Sequence, residues 1–158
     1  MSRALDVLAR AFALAGGALL VAITGMSVVS IAGRTALGRP LSGDFELVQV
    51  GCAVAVAAFL PYCQLRRGHI IVDFFTVRAG PRVQGALDAL GALLLAAVMA
   101  LLAWRTAAGM LTVRAAGEVT MIVGFPVWLG YAAIVPSLAL TALAGLVTAL
   151  EAWSASRE

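Results

Sequence analysis

The stretch RRGHIIVDFF, residues 66–75, contains the only histidine of the chain, His69, four residues before Asp73. On a helix this spacing places both side chains on one face, where an imidazole and a carboxylate could share a metal ion. A structural zinc site takes about four protein ligands and a catalytic site about three, and no third ligand stands nearby. We therefore expect no metal here, and the stretch has to be understood through the elements around it.

Other reactive side chains also lack partners. Cys52 and Cys63 are eleven residues apart, about 16 Å along a helix, which is too far for a mutual disulfide. A single histidine excludes a bis-histidine haem anchor within this chain. Three serines in the apolar runs have no companion histidine to activate them: Ser27, Ser30 and Ser137. The sequence therefore predicts neither an enzyme nor a cofactor.

The composition is that of a membrane protein. Hydrophobic residues make up 63% of the 158 residues and charged residues 12%, against about 25% charged residues in an ordinary soluble domain. The net charge of +3 is spread along the chain, so we expect no binding of nucleic acid.

Four apolar runs predict four transmembrane helices, at about residues 11–33, 46–65, 83–105 and 125–149, because about 20 apolar residues cross the hydrocarbon core. The first run is longer than the roughly 7–15 residues of a signal-peptide core, so we expect it to be retained. The predicted fold is one all-α integral membrane domain over residues 1–158, with a short interfacial segment between the second and third helices. Pro126 is expected in the first turn of the fourth helix, and Pro136 is expected to kink or locally unwind it.

The arginines predict which side of the membrane each loop faces. Seven lie in the N-terminal lead, the middle loop and the C-terminal tail, and four lie in the other two loops, where we place Arg105 and Arg114 in the second. Cytoplasmic loops carry the excess of basic residues. We therefore expect both termini and residues 66–75 to be cytoplasmic.

Residues 66–75 have the pattern of a segment that lies in the membrane interface. On a helix, His69 and Asp73 lie on a polar side, and apolar residues fill the other side. Arg66 and Arg67 would stand at the level of the lipid phosphates. We expect this segment to contact membrane lipids or a partner protein.

The first outer loop carries charges that could close the hairpin of the first two helices. Asp44 can cap the second helix, and Glu46 stands in its first turn, where the helix dipole favours a negative charge. Arg34 ends the first helix, so an Arg34–Glu46 pair is one possibility. The alternative is that both side chains face water, where such a pair contributes only about 0–1 kcal/mol.

Three motifs occur in an order that resembles one family. They are GRTALGRPLSGDFELVQ after the first span, RRGHIIVDFF after the second, and GEVTMIVGFPVWLGYAAIVP entering the fourth. With the four-span layout, the chain resembles over nearly its whole length the small membrane subunit (DctQ-like) of the tripartite ATP-independent periplasmic (TRAP) transporters. The recurring residues of that family correspond here to Arg34, Glu46, Arg67, Gly68, His69, Asp73, Pro126, Trp128 and Pro136.

The resemblance implies a subunit of a secondary transporter in the bacterial inner (cytoplasmic) membrane. In such systems a soluble periplasmic substrate-binding protein captures a small organic acid, and a large membrane subunit carries it inward with a sodium gradient. The small subunit packs against the large one as a fixed scaffold. The family supplies no substrate-binding residue in this subunit.

Expected contact surfaces follow from this role. We expect Gly51, Ala55 and Ala58 of the second span, together with the kinked fourth helix, to form the seam with the large subunit, because small residues let helices approach closely. Trp104 and Trp128 are expected to anchor the chain at the membrane interface. The outer loops, including Arg34 and Glu46, are expected to contribute to the docking surface for the binding protein.

Two other functions remain open for an apolar four-helix chain. An autonomous small transporter or channel for a charged solute would need an ionisable residue deep in a span. The first, second and fourth predicted spans have none, and Asp88 lies near the start of the third. The other alternative is a membrane anchor subunit of a redox enzyme.

Overall fold

The computed structural model describes residues 3–38, 41–66 and 81–155. The predicted interfacial segment falls outside the described residues, apart from Arg66 at its start, and so do four candidate residues, Arg67, Gly68, His69 and Asp73. The expectations for these residues stay predictions.

Four helices make up almost all of the described chain: α1 (Arg3–Leu37), α2 (Asp44–Leu65), α3 (Pro81–Ala116) and α4 (Val127–Ala155). Each is long and apolar enough to cross a membrane. The described residues contain no β-strand, only an isolated bridge between Val119 and Pro126. The predicted all-α class with four spans is therefore confirmed.

Two helices extend well beyond their predicted spans. α1 has 35 residues and α3 has 36, although about 20 cover the hydrocarbon core. α3 continues from Arg105 for another eleven residues to Ala116, so the assignment of Arg105 to an outer loop is wrong. The residues after Arg105, TAAGMLTV, contain no proline and are compatible with a helix, which explains why the charge does not end it.

Glycines in the left-handed conformation follow the ends of α1 and α3. Gly117 has a φ of 66°, and its N–H donates to the Arg114 carbonyl at 3.2 Å while the Glu118 N–H donates to the Val113 carbonyl at 3.2 Å. This is a Schellman arrangement, which satisfies two carbonyls that a helix end leaves open. Gly38, with a φ of 65°, follows α1 in the same way.

Prolines do not interrupt the helices. α4 runs through Pro136 without a break, so the predicted local unwinding is absent. Pro126 directly precedes α4 instead of lying inside its first turn. A backbone N–H at this position would have no acceptor within the helix, so a proline there costs no helical hydrogen bond. Pro61 lies inside α2 and is fully buried.

The helices form a layer in the order α1, α2, α4, α3. α4 packs against both α2 and α3, α1 packs on α2 and touches α4 only slightly, and the described parts of α1 and α3 do not meet. α2 and α4 run in the same direction, because Gly130 lies beside Val50 and, further along, Thr148 binds Gln64. α4 is therefore the most enclosed helix and α1 the most exposed.

Small residues let α1 and α2 approach closely. A Cβ atom on Gly16 would lie 3.0 Å from both the Ala55 carbonyl oxygen and the Ala58 Cβ. A Cβ atom on Gly51 would lie 2.9 Å from Cγ2 of Ile23. Close packing of this kind holds helices together in lipid, where the hydrophobic effect contributes little. The small strip of α2 thus contacts α1 within this chain, and its expected use as the seam with the large subunit is wrong.

Replacing Gly16 with leucine should weaken the packing of α1 on α2. The new side chain would meet the Ala55 backbone, which cannot turn aside, and overpacking of this kind costs about 1–3 kcal/mol. We expect the purified chain to unfold at a lower SDS fraction in mixed micelles. The matched control is Gly17→Leu, because a Cβ atom on Gly17 meets nothing within 4 Å. Equal effects of the two substitutions would contradict the proposed α1–α2 contact.

Candidate functional site

The polar contacts between helices concentrate at the two ends of the layer. We call the end at which α1 and α3 finish and α2 and α4 begin the Glu46 end. At the opposite end, the Arg66 end, α1 and α3 begin and α2 and α4 finish. Four of the described candidate residues lie at the Glu46 end: Arg34, Glu46, Pro126 and Trp128. Arg66 lies at the other end. Trp104 and Pro136 lie inside helices.

The Glu46 carboxylate binds the loop between α3 and α4. The Ile122 N–H donates to Oε1 of Glu46 at 3.0 Å, and the Val123 N–H donates to Oε2 at 3.0 Å. Hydrogen bonds to an ionised acceptor are about twice as strong as those between neutral groups. We call these two bonds the Glu46 clamp, and they tie the first turn of α2 to a loop 76 residues further along the chain.

The loop that Glu46 binds, residues 117–126, is also closed by its own hydrogen bonds. The Thr120 N–H donates to the Phe125 carbonyl at 2.9 Å, and the Phe125 N–H donates to Oγ1 of Thr120 at 3.0 Å. Gly124, with a φ of 69°, makes the turn, and its N–H donates to the Thr120 carbonyl at 3.2 Å. The loop therefore presents the two amides of the Glu46 clamp in a fixed direction.

The start of α2 is shaped to receive this loop. Gly43 has a φ of 81°, and a Cβ atom there would overlap the Val123 side chain. A glycine is thus required twice, by the left-handed backbone and by the close approach of the loop. Any other residue at position 43 would push the loop away from Glu46.

A second contact joins α1 to α2 at the same end. The Ser30 hydroxyl, which is 1% exposed, donates to Oδ2 of Asp44 and accepts the Leu41 N–H at 3.3 Å. Asp44 is the first residue of α2 and Gly43 takes the cap position without a side-chain hydrogen bond. The expected N-cap position of Asp44 is therefore wrong, because Gly43 occupies it. Asp44 still binds a first-turn amide, since its Oδ1 accepts the Phe45 N–H at 2.7 Å.

The expected Arg34–Glu46 pair is replaced by these contacts. Both oxygens of Glu46 face backbone amides, Arg34 is exposed in the last turn of α1, and no ion pair joins these two described residues. The amides of Ile122 and Val123 were missed because a backbone donor leaves no signature in residue type. The two glycines that bracket their loop were the only available signal.

A cation–π contact joins α3 to α4. The guanidinium carbon of Arg114 lies 5.0 Å from the centre of a Trp128 ring, within the distance over which a cation is attracted to an aromatic face. Trp128 is half-buried, whereas Trp104 is 69% exposed. Neighbouring helices are thus tied together at the Glu46 end from α1 to α4.

The Arg66 end is held by an ion-pair cluster on the surface. Nη2 of Arg66 lies 3.5 Å from Oδ1 of Asp6, and Arg10 lies 2.8 Å from Oδ2 of the same carboxylate. The Arg66 guanidinium also stands 5.3 Å from the centre of the Tyr62 ring. Asp6, which the sequence interpretation overlooked, therefore links the start of α1 to the end of α2.

A buried hydrogen bond links α2 to α4 near the same end. Nε2 of Gln64 donates to Oγ1 of Thr148 at 2.9 Å, and the Thr148 hydroxyl donates to the Gly145 carbonyl at 3.0 Å. Oε1 of Gln64 has no partner among the described residues. The glutamine therefore acts as a link between two helices that run in the same direction.

These contacts hold helices together and offer little chemistry. Across residues 3–38, 41–66 and 81–155, no group of three His, Cys, Asp or Glu side chains comes together. The buried polar side chains in these ranges are all neutral: Ser30, Gln64, Ser137, Thr141 and Thr148. The arrangement is that of a structural framework with two fixed ends.

The sequence matches a known family over most of its length. Residues 23–155 match the family described as tripartite ATP-independent periplasmic transporters, DctQ component. The chain belongs to the DctQ family. Searches of curated proteins and of solved structures gave no match.

Membership in the DctQ family identifies this chain as the small membrane component of a TRAP transporter, which confirms the resemblance found in the sequence. The four apolar helices make it a multi-pass membrane protein. The DctQ match begins within α1 and ends with α4, so it includes every contact of the Glu46 end. DctQ is a family of transporter components and not of enzymes, and this membership argues against the redox-anchor alternative.

Replacing Glu46 with alanine should loosen the loop of residues 117–126. Both amides of the Glu46 clamp would lose a charged acceptor, and hydrogen bonds to charged groups contribute about 1.5–3 kcal/mol each. We expect hydrogen exchange at the Ile122 and Val123 amides to accelerate at least about tenfold. The control is Glu118→Ala, which removes an exposed charge from the same loop and leaves the clamp. Unchanged exchange in Glu46→Ala would disprove the clamp.

Proposed function

We propose that this chain is the fixed scaffold subunit of a TRAP transporter that imports small organic acids with a sodium gradient. The observation that carries this proposal is that side-chain contacts tie neighbouring helices at both ends of the layer. Transport by alternating access needs elements that move past one another. A layer held at both ends suits the part of a transporter against which the moving parts work.

The interior of the chain supports the same division of labour. Its described buried polar groups are neutral, and a cavity between α3 and α4 is lined by alanine, leucine and Trp153. An organic anion crossing a membrane needs hydrogen-bond donors or cations along its path. In this proposal the path, the organic acid and the sodium ions all belong to the large subunit.

The large subunit would pack on faces that the chain leaves open. The small strip of α2 is occupied by α1, so the seam with the large subunit lies on another face of the chain. There α4 exposes Leu143, Leu146 and Leu150 at spacings of three and four residues, which form one stripe along a helix. The expectation that α4 contributes to the seam with the large subunit therefore stays a prediction, with these three leucines as the contact.

The arginines support an orientation with both termini in the cytoplasm and the chain in the inner membrane. Arg105 lies eleven residues before the end of α3, whereas the other described arginines lie within about two turns of a helix end. Arg105 therefore no longer counts toward the outer loops, and the excess at the Arg66 end grows. Basic residues mark the cytoplasmic side. The Arg66 end is then cytoplasmic and contacts lipid headgroups through Arg66, and the Glu46 end faces the periplasm.

The Glu46 end offers an apolar surface to the periplasmic substrate-binding protein. Met121 is 99% exposed and Phe45 is 76% exposed, and both flank the Glu46 clamp. Exposed apolar side chains held on a fixed loop are typical of interaction surfaces. Glu46 itself is occupied by the clamp, so its expected contribution to docking is indirect, through the shape of the loop.

Co-purification from native membranes tests the scaffold proposal. We expect a larger multi-span protein to accompany the tagged chain in mild detergent, and the chain reconstituted alone to carry no solute flux. Recovery of only a monomer or homo-oligomer would contradict the scaffold role. Flux by the chain alone would favour an autonomous transporter.

Replacing Met121 with aspartate tests the docking surface. The side chain is fully exposed, so we expect the chain to fold and to recover the large subunit as before. A charge at the centre of an apolar interface should raise the concentration of binding protein needed for half-maximal uptake by about tenfold. The control is Glu118→Gln, a change on the same loop outside the apolar surface. Unchanged uptake in Met121→Asp would contradict docking at this loop.

A further inference from the structure

Arg105 is a charged residue inside a helix that is long and apolar enough to cross a membrane. It lies on α3 between Pro81 and Ala116 and is exposed. No described residue forms an ion pair, hydrogen bond or ring contact with it. Ionisable residues within membrane spans are costly and usually pair with another group. The partner of Arg105 must therefore be sought outside the described chain.

The contacts between α3 and α4 fix the depth of Arg105 relative to α4. Gly109 lies beside Tyr131, and Ala96 lies beside Gly145. The two helices are thus antiparallel in constant register, and Arg105 lies between the two α3 residues. Its level on α4 is about one turn after Tyr131.

The contacts between α4 and α2 relate the depth of Arg105 to the middle of the bilayer. Gly130 lies beside Val50 and Thr148 beside Gln64, so the point one turn after Tyr131 is level with the centre of α2. α2 has 22 residues, a length of about 33 Å that nearly equals the hydrocarbon thickness of about 30 Å. Arg105 therefore lies near the midplane.

Arg105 faces away from this chain. The residues of α3 that are buried recur every seven positions: Ala89, Ala96 and Ala103. On a helix of 3.6 residues per turn the opposite side is exposed and carries one charge among apolar and small residues: Leu94, Val98, Leu101, Arg105, Ala108 and Thr112. We call this set the Arg105 face.

We propose that a transmembrane helix of the large subunit packs on the Arg105 face and presents an aspartate or glutamate carboxylate to Arg105. This proposal rests on the scaffold function proposed above. An arginine and a carboxylate form two parallel hydrogen bonds, which satisfies both charges without water. Trp104, 69% exposed beside Arg105, then contacts the same partner and does not mark the membrane interface.

The depth argues against the other two sources of an anion. Lipid phosphates lie outside the hydrocarbon core, about 15 Å from its midplane, and snorkelling serves basic residues close to helix ends. Within the described residues, a second copy of this chain offers no carboxylate at that depth. Its acidic residues there lie in a loop or within about two turns of a helix end: Asp6, Asp44, Glu46, Asp88, Glu118 and Glu151.

Recovery of the large subunit by variants of Arg105 tests this pairing in the intact complex. Arg105→Leu should insert in the membrane at least as well as the native chain, since leucine suits lipid, yet recover at least about tenfold less large subunit. Arg105→Lys keeps the charge and should recover more than Arg105→Leu. Arg3→Leu is the matched control, an exposed arginine at a helix end, and should change nothing.

The outcomes separate this proposal from the scaffold function. Full recovery of the large subunit by Arg105→Leu would overturn the pairing while leaving the scaffold role intact. Failure of the native chain to recover any large subunit would overturn both.

Photocrosslinking identifies the occupant of the Arg105 face directly. A photoreactive benzoylphenylalanine replacing Leu101, one turn before Arg105 on the same face, should crosslink to the large subunit in the native complex. Adducts with lipid alone would assign this face to the bilayer and overturn the proposal. Adducts with a second copy of this chain would also overturn it.

Discussion

Backbone N–H and C=O groups inside a bilayer find no water, and this constraint governs the structure from one helix end to the next. Within each helix the ladder of hydrogen bonds meets this constraint, and only the groups at the helix ends are left without an intrahelical partner. At Gly117 a Schellman turn returns two donors to the end of α3. Between α3 and α4 the chain goes further, because two loop amides are satisfied by a carboxylate from α2. The hydrogen bonds that satisfy these two amides therefore also join distant parts of the chain.

The number and kind of elements could be predicted because each depends on a long run of residue types. Twenty apolar residues predict a helix whatever its neighbours do. The ends could not be predicted in the same way. The extension of α3 beyond Arg105, TAAGMLTVRAA, contains no proline. These residues neither demand nor forbid a helix, and Gly117 ends it. An arginine was taken as the boundary, and the boundary lies eleven residues later.

The candidate site was predicted less completely for a related reason. The strip Gly51, Ala55 and Ala58 indicated a helix contact, and a helix contact exists, but the strip carries no information about which helix fills it. Glu46 was recognised as a charged residue at a helix start, and a cationic partner was sought because charges attract. Its true partners are amides, which every residue but proline has. Contacts made by backbone are therefore the part of the site that residue types leave undetermined.

The order α1, α2, α4, α3 also bears on how the chain enters the membrane. α1 with α2 and α3 with α4 are each neighbours in sequence and in space, so the protein consists of two helical hairpins. Each hairpin can close on itself soon after synthesis, since contacts between neighbours in sequence form without a long search. The parallel contact of α2 with α4 is then the docking step. The Glu46 clamp joins the first hairpin to the last loop to be made, and its formation is a natural marker that both hairpins have met.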